Sequence, residues 1–226
     1  METSGLADPG PTLYTLSADA FLEASLRLDR VVTTIDAMIG AETLDRYPEA
    51  AAQAAVADLL LITKTDLSLV PDGLVQRLAS LNTMAPIVDA GDADANAILF
   101  GGSPKARPRP SAAAVHAHGI YALSVRLQRP MTRLAFAMAL GGLARDHGEK
   151  LLRVKGLVEF SDRPDGPAAI HAAQHTLYPP RWLERWPSSD SVSRLVSVVR
   201  DLEPDEILRR FAAGEPACLT PPAGAT

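Results

Sequence analysis

Residues 58–67 read DLLLITKTDL, and this stretch decides the fold of the first half of the chain. Its first part is a continuous aliphatic run, which is typical of a strand buried on both faces of a parallel sheet. Its second part, TKTD at 63–66, is polar and follows the strand at its carboxyl end. Open parallel sheets bind their ligands beyond that end of their strands. The stretch therefore predicts a buried strand that delivers a polar tetrapeptide to a ligand-binding edge.

Strand and helix patterns alternate along the first hundred residues. Aliphatic and β-branched runs predict strands in RVVTTIDA at 30–37 and APIVDA at 85–90. Helical patterns occur at 17–27, 48–57 and 71–82. We expect Pro9 and Pro11 to keep the opening residues out of a regular helix. Because strands that alternate with helices indicate a parallel sheet with crossover helices, residues 1–100 are predicted to form an α/β domain.

The second half of the chain has a different pattern. Residues 101–114, GGSPKARPRPSAAA, combine glycine, proline and small polar residues without periodicity, which predicts a linker. The elements after it are predicted in the order β-α-β-β-β-α, at 118–128, 131–148, 151–162, 166–178, 193–201 and 203–213. This order describes a smaller α+β domain over residues 115–213. Residues 214–226 are expected to form a disordered tail.

Composition excludes several classes of protein. The 226 residues carry a formal net charge of −5, so the chain lacks the basic footprint of a nucleic-acid-binding protein. Its single cysteine, Cys218, cannot form an internal disulfide or a cysteine-rich zinc site, and it favours a reducing compartment. The sequence shows neither a signal-peptide pattern nor an apolar run long enough for a membrane span. We expect a cytoplasmic protein without nucleic-acid or membrane partners.

The TKTD tetrapeptide is the strongest chemical signal. A carboxylate such as Asp66 can accept hydrogen bonds from the ring N–H and the exocyclic amine of guanine, a donor pair that adenine lacks. The stem of Lys64 can lie along the flat face of the base, and Thr63 can tether the loop. The same residues also fit an ordinary polar turn after a strand, with Asp66 capping the next segment. The neighbouring predicted strands end in Asp36 and Asp89 at the same edge.

The residues ETSG at 2–5 form a second candidate site. A carboxylate ahead of a glycine, here Glu2 and Gly5, suits a metal-bound triphosphate. The acid can orient a water molecule or a Mg²⁺ ligand while the glycine N–H approaches the γ-phosphate. The same residues fit a polar N-terminal arm.

The order and spacing of these motifs resemble those of the CobW-type GTPases, which are P-loop metallochaperones and cobalamin-synthesis proteins. In the first half the resemblance rests on ETSGLADP, VVTTIDA, ADLLLITKTDL and LNTMAPI. In the second half it rests on HGIYALSV, RVKGLVEF, IHAAQHTLYPPRW and WPSSDSVSRLVSVVRDLEPDEIL. The resemblance covers residues 1–213. It implies a partial P-loop GTPase sheet over residues 1–100 and a CobW C-terminal domain over residues 115–213.

The resemblance also implies roles for individual residues. Two would belong to the catalytic switch segment that senses the γ-phosphate and Mg²⁺, namely Glu2 and Gly5. Five would contact or enclose the guanine base, namely Thr63, Lys64, Asp66, Asn82 and Ala85. The ligands implied are GTP and Mg²⁺, the cargo is Zn²⁺ or Co²⁺, and the partner is a metalloprotein client or a metal-dependent enzyme.

The chain departs from the family pattern in three respects. It contains no G-x-x-x-x-G-K-[ST] loop, which supplies the backbone N–H nest, the lysine and the Mg²⁺-binding hydroxyl. It lacks the family's cysteine metal motif, and Thr63 stands where asparagine is usual. We therefore expect the chain alone not to hydrolyse GTP. Two origins fit this pattern, a misassigned gene start and a genuine truncation.

The histidines are the remaining metal candidates, and we assign no metal site to them. His171 and His175 could share one face of a regular element, and His116 and His118 precede the second domain. Because two imidazoles make an incomplete site, we expect a structural role for the first pair and a solvated linker for the second.

A second class of function also fits the sequence. The chain could be a stand-alone, non-enzymatic module that binds a partner through its C-terminal domain. Its incomplete sheet would then expose a strand edge, through which copies of the chain could associate.

Overall fold

The computed structural model describes residues 1–5, 7–18, 22, 25–26, 28–92, 94, 98, 106–108, 118–127, 129–187, 191–212 and 219–220. The chain divides into two compact units. The first comprises Met1–Thr12 and Phe21–Ala122, and the second comprises Leu13–Ala20 and Leu123–Thr226. Only residues 106–108 of the predicted linker are described, so the predicted domain boundary stays a prediction.

The opening segment is helical, which corrects the expectation drawn from its prolines. Helix α1 spans Pro9–Ala18. The first N–H groups of a helix have no intrahelical acceptor, so the missing N–H groups of Pro9 and Pro11 break no helical hydrogen bond. The Asp8 carboxylate accepts a hydrogen bond from the Gly10 amide at 2.9 Å, as a helix N-cap does. The helix predicted at 17–27 falls largely outside the described residues.

The first unit is built on a parallel sheet. Its strands are β1 (Val32–Asp36), β2 (Leu59–Thr63) and β3 (Ile87–Asp89), in the spatial order β1-β2-β3. The segments between them carry the helices α2 (Gly40–Arg46), α3 (Pro48–Val56) and α4 (Asp72–Leu81). Both strand pairs are parallel, and parallel pairing requires crossover connections of this kind. The predicted α/β fold is confirmed.

The central strand β2 explains the aliphatic run in the sequence. Leu59, Leu60 and Ile62 are at most 1% exposed, and both flanking strands pair with β2.

Helix α3 contributes small side chains, which let its backbone lie close to its neighbours. Four of its alanines are completely buried, namely Ala51, Ala52, Ala54 and Ala55.

Helix α2 is an element that the sequence patterns do not predict. It has seven residues, of which Gly40 and Leu44 are buried, so it is too short to show a helical period. A Cβ at Gly40 would lie 2.6 Å from the Cγ2 methyl of Ile35, which explains the glycine at this close approach to β1.

The second unit contains an antiparallel sheet and two helices. Its strands are β4 Ile120–Leu127, β5 Leu151–Phe160, β6 Arg163–Ala173, β7 Thr176–Leu177, β8 Arg181–Trp182, β9 Arg194–Arg200 and β10 Leu219–Thr220. They lie in the spatial order β10-β4-β9-β5-β6-β7, and β8 pairs with β6. The helices are α5 (Arg133–His147) and α6 (Pro204–Ala212). The predicted β-α-β-β-β-α order is confirmed, with β7, β8 and β10 added.

Aromatic side chains form the centre of the second core. The rings of Phe160 and Phe211 lie 5.4 and 5.8 Å from the ring of Phe136. Trp182 packs edge-on against Phe160 at 5.9 Å, and the guanidinium of Arg163 lies over the indole at 3.6 Å. The tryptophan therefore contributes to packing.

Two residues of the predicted disordered tail form the short strand β10. Leu219 and Thr220 pair with Leu127 and Arg126, because the edge of β4 offers unpaired backbone groups. The other residues of 214–226 lie outside the described residues. Within the part of the chain that the structure describes, no helix is long and apolar enough to cross a membrane.

Replacement of Gly156 tests the packing of β5 against β9. A Cβ at this position would fall on the backbone oxygen of Arg194 and lie 3.0 Å from the Cα of Leu195. We expect Gly156→Ala to lower the free energy of unfolding of the second unit by roughly 3 kcal/mol. Urea unfolding followed by the fluorescence of Trp182 and Trp186 measures this loss.

The matched control for this prediction is Gly141→Ala on α5. Its added Cβ would make only an ordinary 3.7 Å contact with Leu177. Because alanine favours a helix over glycine, this variant should gain about 0.5–1 kcal/mol. Equal stabilities of the two variants would contradict the strand packing described here.

Candidate functional site

Three polar residues meet at the carboxyl edge of the parallel sheet. Asp36, Thr63 and Asp89 are the last residues of β1, β2 and β3. In the register of the sheet, Asp36 lies opposite Thr63 and Asp89 lies opposite Ile62. The sequence predicted this convergence from the strand order alone, and the structure confirms it.

An ion pair joins two of the strand ends. The Lys64 ammonium lies 2.5 Å from Oδ2 of Asp36, and the Met38 amide donates a 2.7 Å hydrogen bond to Oδ1 of the same carboxylate. Two hydrogen bonds lower the pKa of Asp36 below its ordinary value. The bond from Lys64 has the larger effect, and the bond from the Met38 amide has the next largest. The carboxylate is therefore charged at neutral pH, and it holds the lysine at the edge of the sheet.

Thr63 ties β2 to β1. Its hydroxyl donates a hydrogen bond to the carbonyl of Ile35 at 3.2 Å, and its own carbonyl accepts one from the Ala37 amide at 3.0 Å. The hydroxyl of Thr63, which stands where asparagine was expected, thus binds the neighbouring strand, and a role of Thr63 in base recognition stays a prediction.

The TKTD tetrapeptide forms a tight turn. Lys64 has a φ of +59°, a left-handed conformation that is uncommon for a residue with a side chain. Its carbonyl accepts hydrogen bonds from the amides of Leu67 and Ser68 at 3.1 and 3.3 Å. Asp66 is exposed on this turn. Helix α4 begins only at Asp72 with Pro71 as its N-cap, so Asp66 does not cap that helix.

Asp89 is held by a residue from the predicted linker. The guanidinium of Arg107 donates two 2.6 Å hydrogen bonds to the two carboxylate oxygens, and the Arg107 amide donates to the carbonyl of Ile87 at 2.7 Å. The bonds to Asp89 raise the pKa of Arg107 above its ordinary value. The bidentate pair fixes Arg107 against β3.

Asn82 is buried beneath the loop that contains Ala85. Its Nδ2 lies 3.0, 3.2 and 2.8 Å from the carbonyls of Ala54, Ala55 and Ala57, which belong to the end of α3. Its Oδ1 accepts hydrogen bonds from the amides of Met84 and Ala85 at 3.1 and 2.8 Å. The geometry gives Asn82 a supporting role, and a contact of Asn82 or Ala85 with a base stays a prediction.

The N-terminal candidates lie on the surface of the first unit. Glu2 and Gly5 are both exposed. The side chain of Gln53 on α3 donates to the carbonyls of Gly5 and Ala7 at 3.2 and 2.8 Å, which anchors the segment. The catalytic-switch roles of Glu2 and Gly5 stay predictions.

The histidines have structural surroundings where they are described. Nε2 of His118 lies 3.1 Å from the carbonyl of Leu44, so this ring is bonded rather than simply solvated as expected. The ring of His175 packs against Gly148, where no Cβ could fit. His171 lies on β6 and His175 follows it in a turn, while His116 is outside the described residues. Among the residues described, no group of three or more His, Cys, Asp or Glu side chains could hold a metal ion.

The site fits one part of a guanine nucleotide. An exposed carboxylate at Asp66 and a fixed lysine stem at Lys64 suit the edge and the face of a guanine base. The triphosphate with Mg²⁺ does not fit the residues present, because the 226 residues contain no phosphate-binding loop.

A parallel sheet with TKTD at its carboxyl edge, joined to an antiparallel α+β unit, defines a nucleotide-binding protein with an added C-terminal domain. Residues 1–89 match the family model described as the CobW/HypB/UreG nucleotide-binding domain. Residues 120–215 match the model of the cobalamin synthesis protein cobW C-terminal domain. The chain belongs to the CobW family, as the order of its motifs indicated.

Individual relatives agree with this assignment. The zinc chaperone YjiA of Escherichia coli (strain K12) is 28% identical over 222 residues, which cover 94% of this chain and 69% of the relative. The zinc-regulated GTPase metalloprotein activator 1 of Schizosaccharomyces pombe (strain 972 / ATCC 24843) is 34% identical over 92 residues, which cover 39% of this chain and 22% of the relative.

The solved structures give the same result. The crystal structure of the Zn(II)-bound YjiA GTPase from E. coli matches with a TM-score of 0.73 and 26% sequence identity. A Zn(II)-bound triple mutant of that GTPase matches with a TM-score of 0.75 and the same identity. Each match covers 93% of this chain and 68% of the solved chain.

Removal of the Asn82 side chain tests its supporting role. Asn82→Ala leaves the carbonyls at the end of α3 and the amides of the following loop without their buried partner. We expect the opening free energy of β2 amides in native-state hydrogen exchange to fall by roughly 2–3 kcal/mol. The neighbouring exposed Thr83, changed to alanine, is the control and should be neutral. Unchanged protection in Asn82→Ala would contradict the role.

Proposed function

We propose that this chain is the base-recognising and C-terminal part of a GTP-dependent metallochaperone of the CobW family. The observation that carries the proposal is the TKTD turn at the carboxyl end of β2, with Lys64 fixed by an ion pair and Asp66 exposed. Family membership supports it, and so do the names of the relatives, a zinc chaperone and a zinc-regulated metalloprotein activator.

Asp66 is the residue that selects the base. Its carboxylate accepts hydrogen bonds from the ring N–H and the exocyclic amine of guanine. A base without that donor pair leaves the carboxylate short of partners, and such mismatches discriminate strongly between ligands. Thr63 tethers the turn to β1, Lys64 lies along the base, and the loop with Asn82 and Ala85 closes over it.

The cargo is Zn²⁺, or Co²⁺ where the client belongs to cobalamin synthesis, and Mg²⁺ accompanies the triphosphate. The client is a metalloprotein or a metal-dependent enzyme in the cytoplasm, a compartment favoured by the single cysteine. Glu2 and Gly5 act as the switch segment when a phosphate loop faces them. No such loop occurs within these 226 residues, so in this polypeptide they have no phosphate to sense.

A partner-binding module is the second candidate, and the edge strand β1 favours it. In the described part of the parallel sheet, β1 has one neighbour and Val32 is 37% exposed. An open edge of this kind can pair with a strand of another protein or of a second copy of the chain. Such a module would show no preference between purine bases.

The purified chain should not hydrolyse GTP. Phosphate release measured with GTP and Mg²⁺ should equal the buffer blank, because the lysine and backbone nest that bind the phosphates are missing from the sequence. Glu2→Ala serves as the matched control and should give the same rate. Turnover in the wild-type chain that is lost in Glu2→Ala would overturn this part of the proposal.

Asp66→Asn should change the preferred base. Xanthine carries a carbonyl where guanine carries its exocyclic amine, so an asparagine amide complements xanthine while a carboxylate complements guanine. NMR titration of the wild-type chain with GMP, XMP and AMP should show a guanine preference. We expect Asp66→Asn to weaken GMP binding by about tenfold or more and to favour XMP. Equal binding of all three nucleotides by the wild type would instead favour the partner-binding module.

A further inference from the structure

We propose that Asp36 is a positioning residue of the guanine site, which holds the Lys64 ammonium so that the lysine stem lies ready for the face of the base. This inference rests on the proposed guanine recognition by TKTD. It adds to that site a residue 27 positions before Thr63, the start of the motif, on a different strand.

The position of the Asp36 carboxylate is fixed by the sheet. Asp36 lies opposite Thr63 in the β1–β2 register, and two hydrogen bonds between the strand ends, from Thr63 to Ile35 and from Ala37 to Thr63, hold that register. The Met38 amide fixes one carboxylate oxygen at 2.7 Å. The other oxygen is left facing Lys64, and the Asp36 side chain is only 18% exposed.

Lys64 needs such an anchor to present its stem. A lysine side chain loses rotamer freedom when it is fixed, so an unanchored lysine would lose that freedom only when the base binds, which weakens binding. The left-handed backbone of Lys64 sets the direction in which the side chain leaves the turn. With the ammonium on Asp36, the side chain is still 53% exposed, so about half of its surface remains open to a ligand.

The surroundings of the ion pair suit a flat aromatic ligand. Met38, whose amide binds Asp36, is 59% exposed, and Leu67, whose amide binds the Lys64 carbonyl, is 67% exposed. Two exposed apolar residues thus belong to the strand end and the turn that carry the ion pair, and exposed apolar surface suits the faces of a purine base.

The test is a double-mutant cycle read by GMP binding to the full chain. Asp36→Asn keeps the size of the side chain and removes its charge, and Lys64→Met keeps the stem and removes the ammonium. We expect Asp36→Asn to raise the Kd for GMP by roughly two- to fivefold, the range for a partly exposed pair. In the Lys64→Met background, Asp36→Asn should cause no further loss, because there is no ammonium left to hold.

Two controls separate positioning from general stability. Asp45→Asn removes a carboxylate from another ion pair of the same unit, with Arg77, and should leave GMP binding unchanged. In Asp36→Asn the preference for GMP over XMP should persist, since Asp66 selects the base. Asp36→Asn should therefore lower the affinity for GMP without changing the preferred base, whereas Asp66→Asn should change the preferred base. A general loss of stability in Asp36→Asn would not depend on the presence of the Lys64 ammonium.

The outcomes that overturn the inference are distinct. Wild-type affinity in Asp36→Asn, or an equal loss in the Lys64→Met background, shows that Asp36 does not act through Lys64. Tighter binding in Asp36→Asn shows that the ion pair competes with the base. Failure of the wild-type chain to prefer GMP overturns the guanine site itself, and the positioning role with it.

Discussion

The parallel pairing of β1 with β2 is the constraint on which the site depends. Its register sets Asp36 beside Thr63, and from this placement follow the ion pair to Lys64, the direction of the TKTD turn and the exposure of Asp66. A slip of one residue would turn every side chain of β1 to the opposite face. The burial of Ile35 on β1 opposes such a slip, because the slip would move this side chain to the exposed face.

Two further side chains, Asn82 and Arg107, hold the chain segments next to the carboxyl edge of the sheet. Asn82 joins the end of α3 to the loop before β3, and Arg107 brings a distant segment back to Asp89 at the end of β3. A buried amide can serve carbonyls and amides at once, and a guanidinium can bind a carboxylate through two bonds. Each of these residues therefore fixes two chain segments with one side chain, which leaves the surface residues of the edge for a ligand.

The sequence allowed the prediction of local features, such as strands and turns. It did not allow the prediction of side-chain contacts between residues that are distant along the chain. The strand β2, its polar extension and the β-α-β-β-β-α order follow from apolar periodicity and β-branched runs. Helix α1 was missed because prolines were judged by their effect inside a helix rather than at its first turn. The partners of Lys64 and Asp89 are 28 and 18 residues away, and no pattern encodes them. A signal existed for Asn82, since a lone amide between apolar segments often serves buried backbone groups.

The separation of base recognition from phosphate binding follows from how each ligand group is held. A base is read by a few side chains at a strand end, and these act wherever the sheet sets their register. A triphosphate needs a contiguous nest of backbone N–H groups, which only a dedicated loop can provide. A chain that has the first and not the second can thus retain specificity while it lacks most of the affinity. In such a chain, we expect an ion pair that contributes little to stability to strengthen binding several-fold, because it would fix in advance the side chain that is proposed to meet the face of the base.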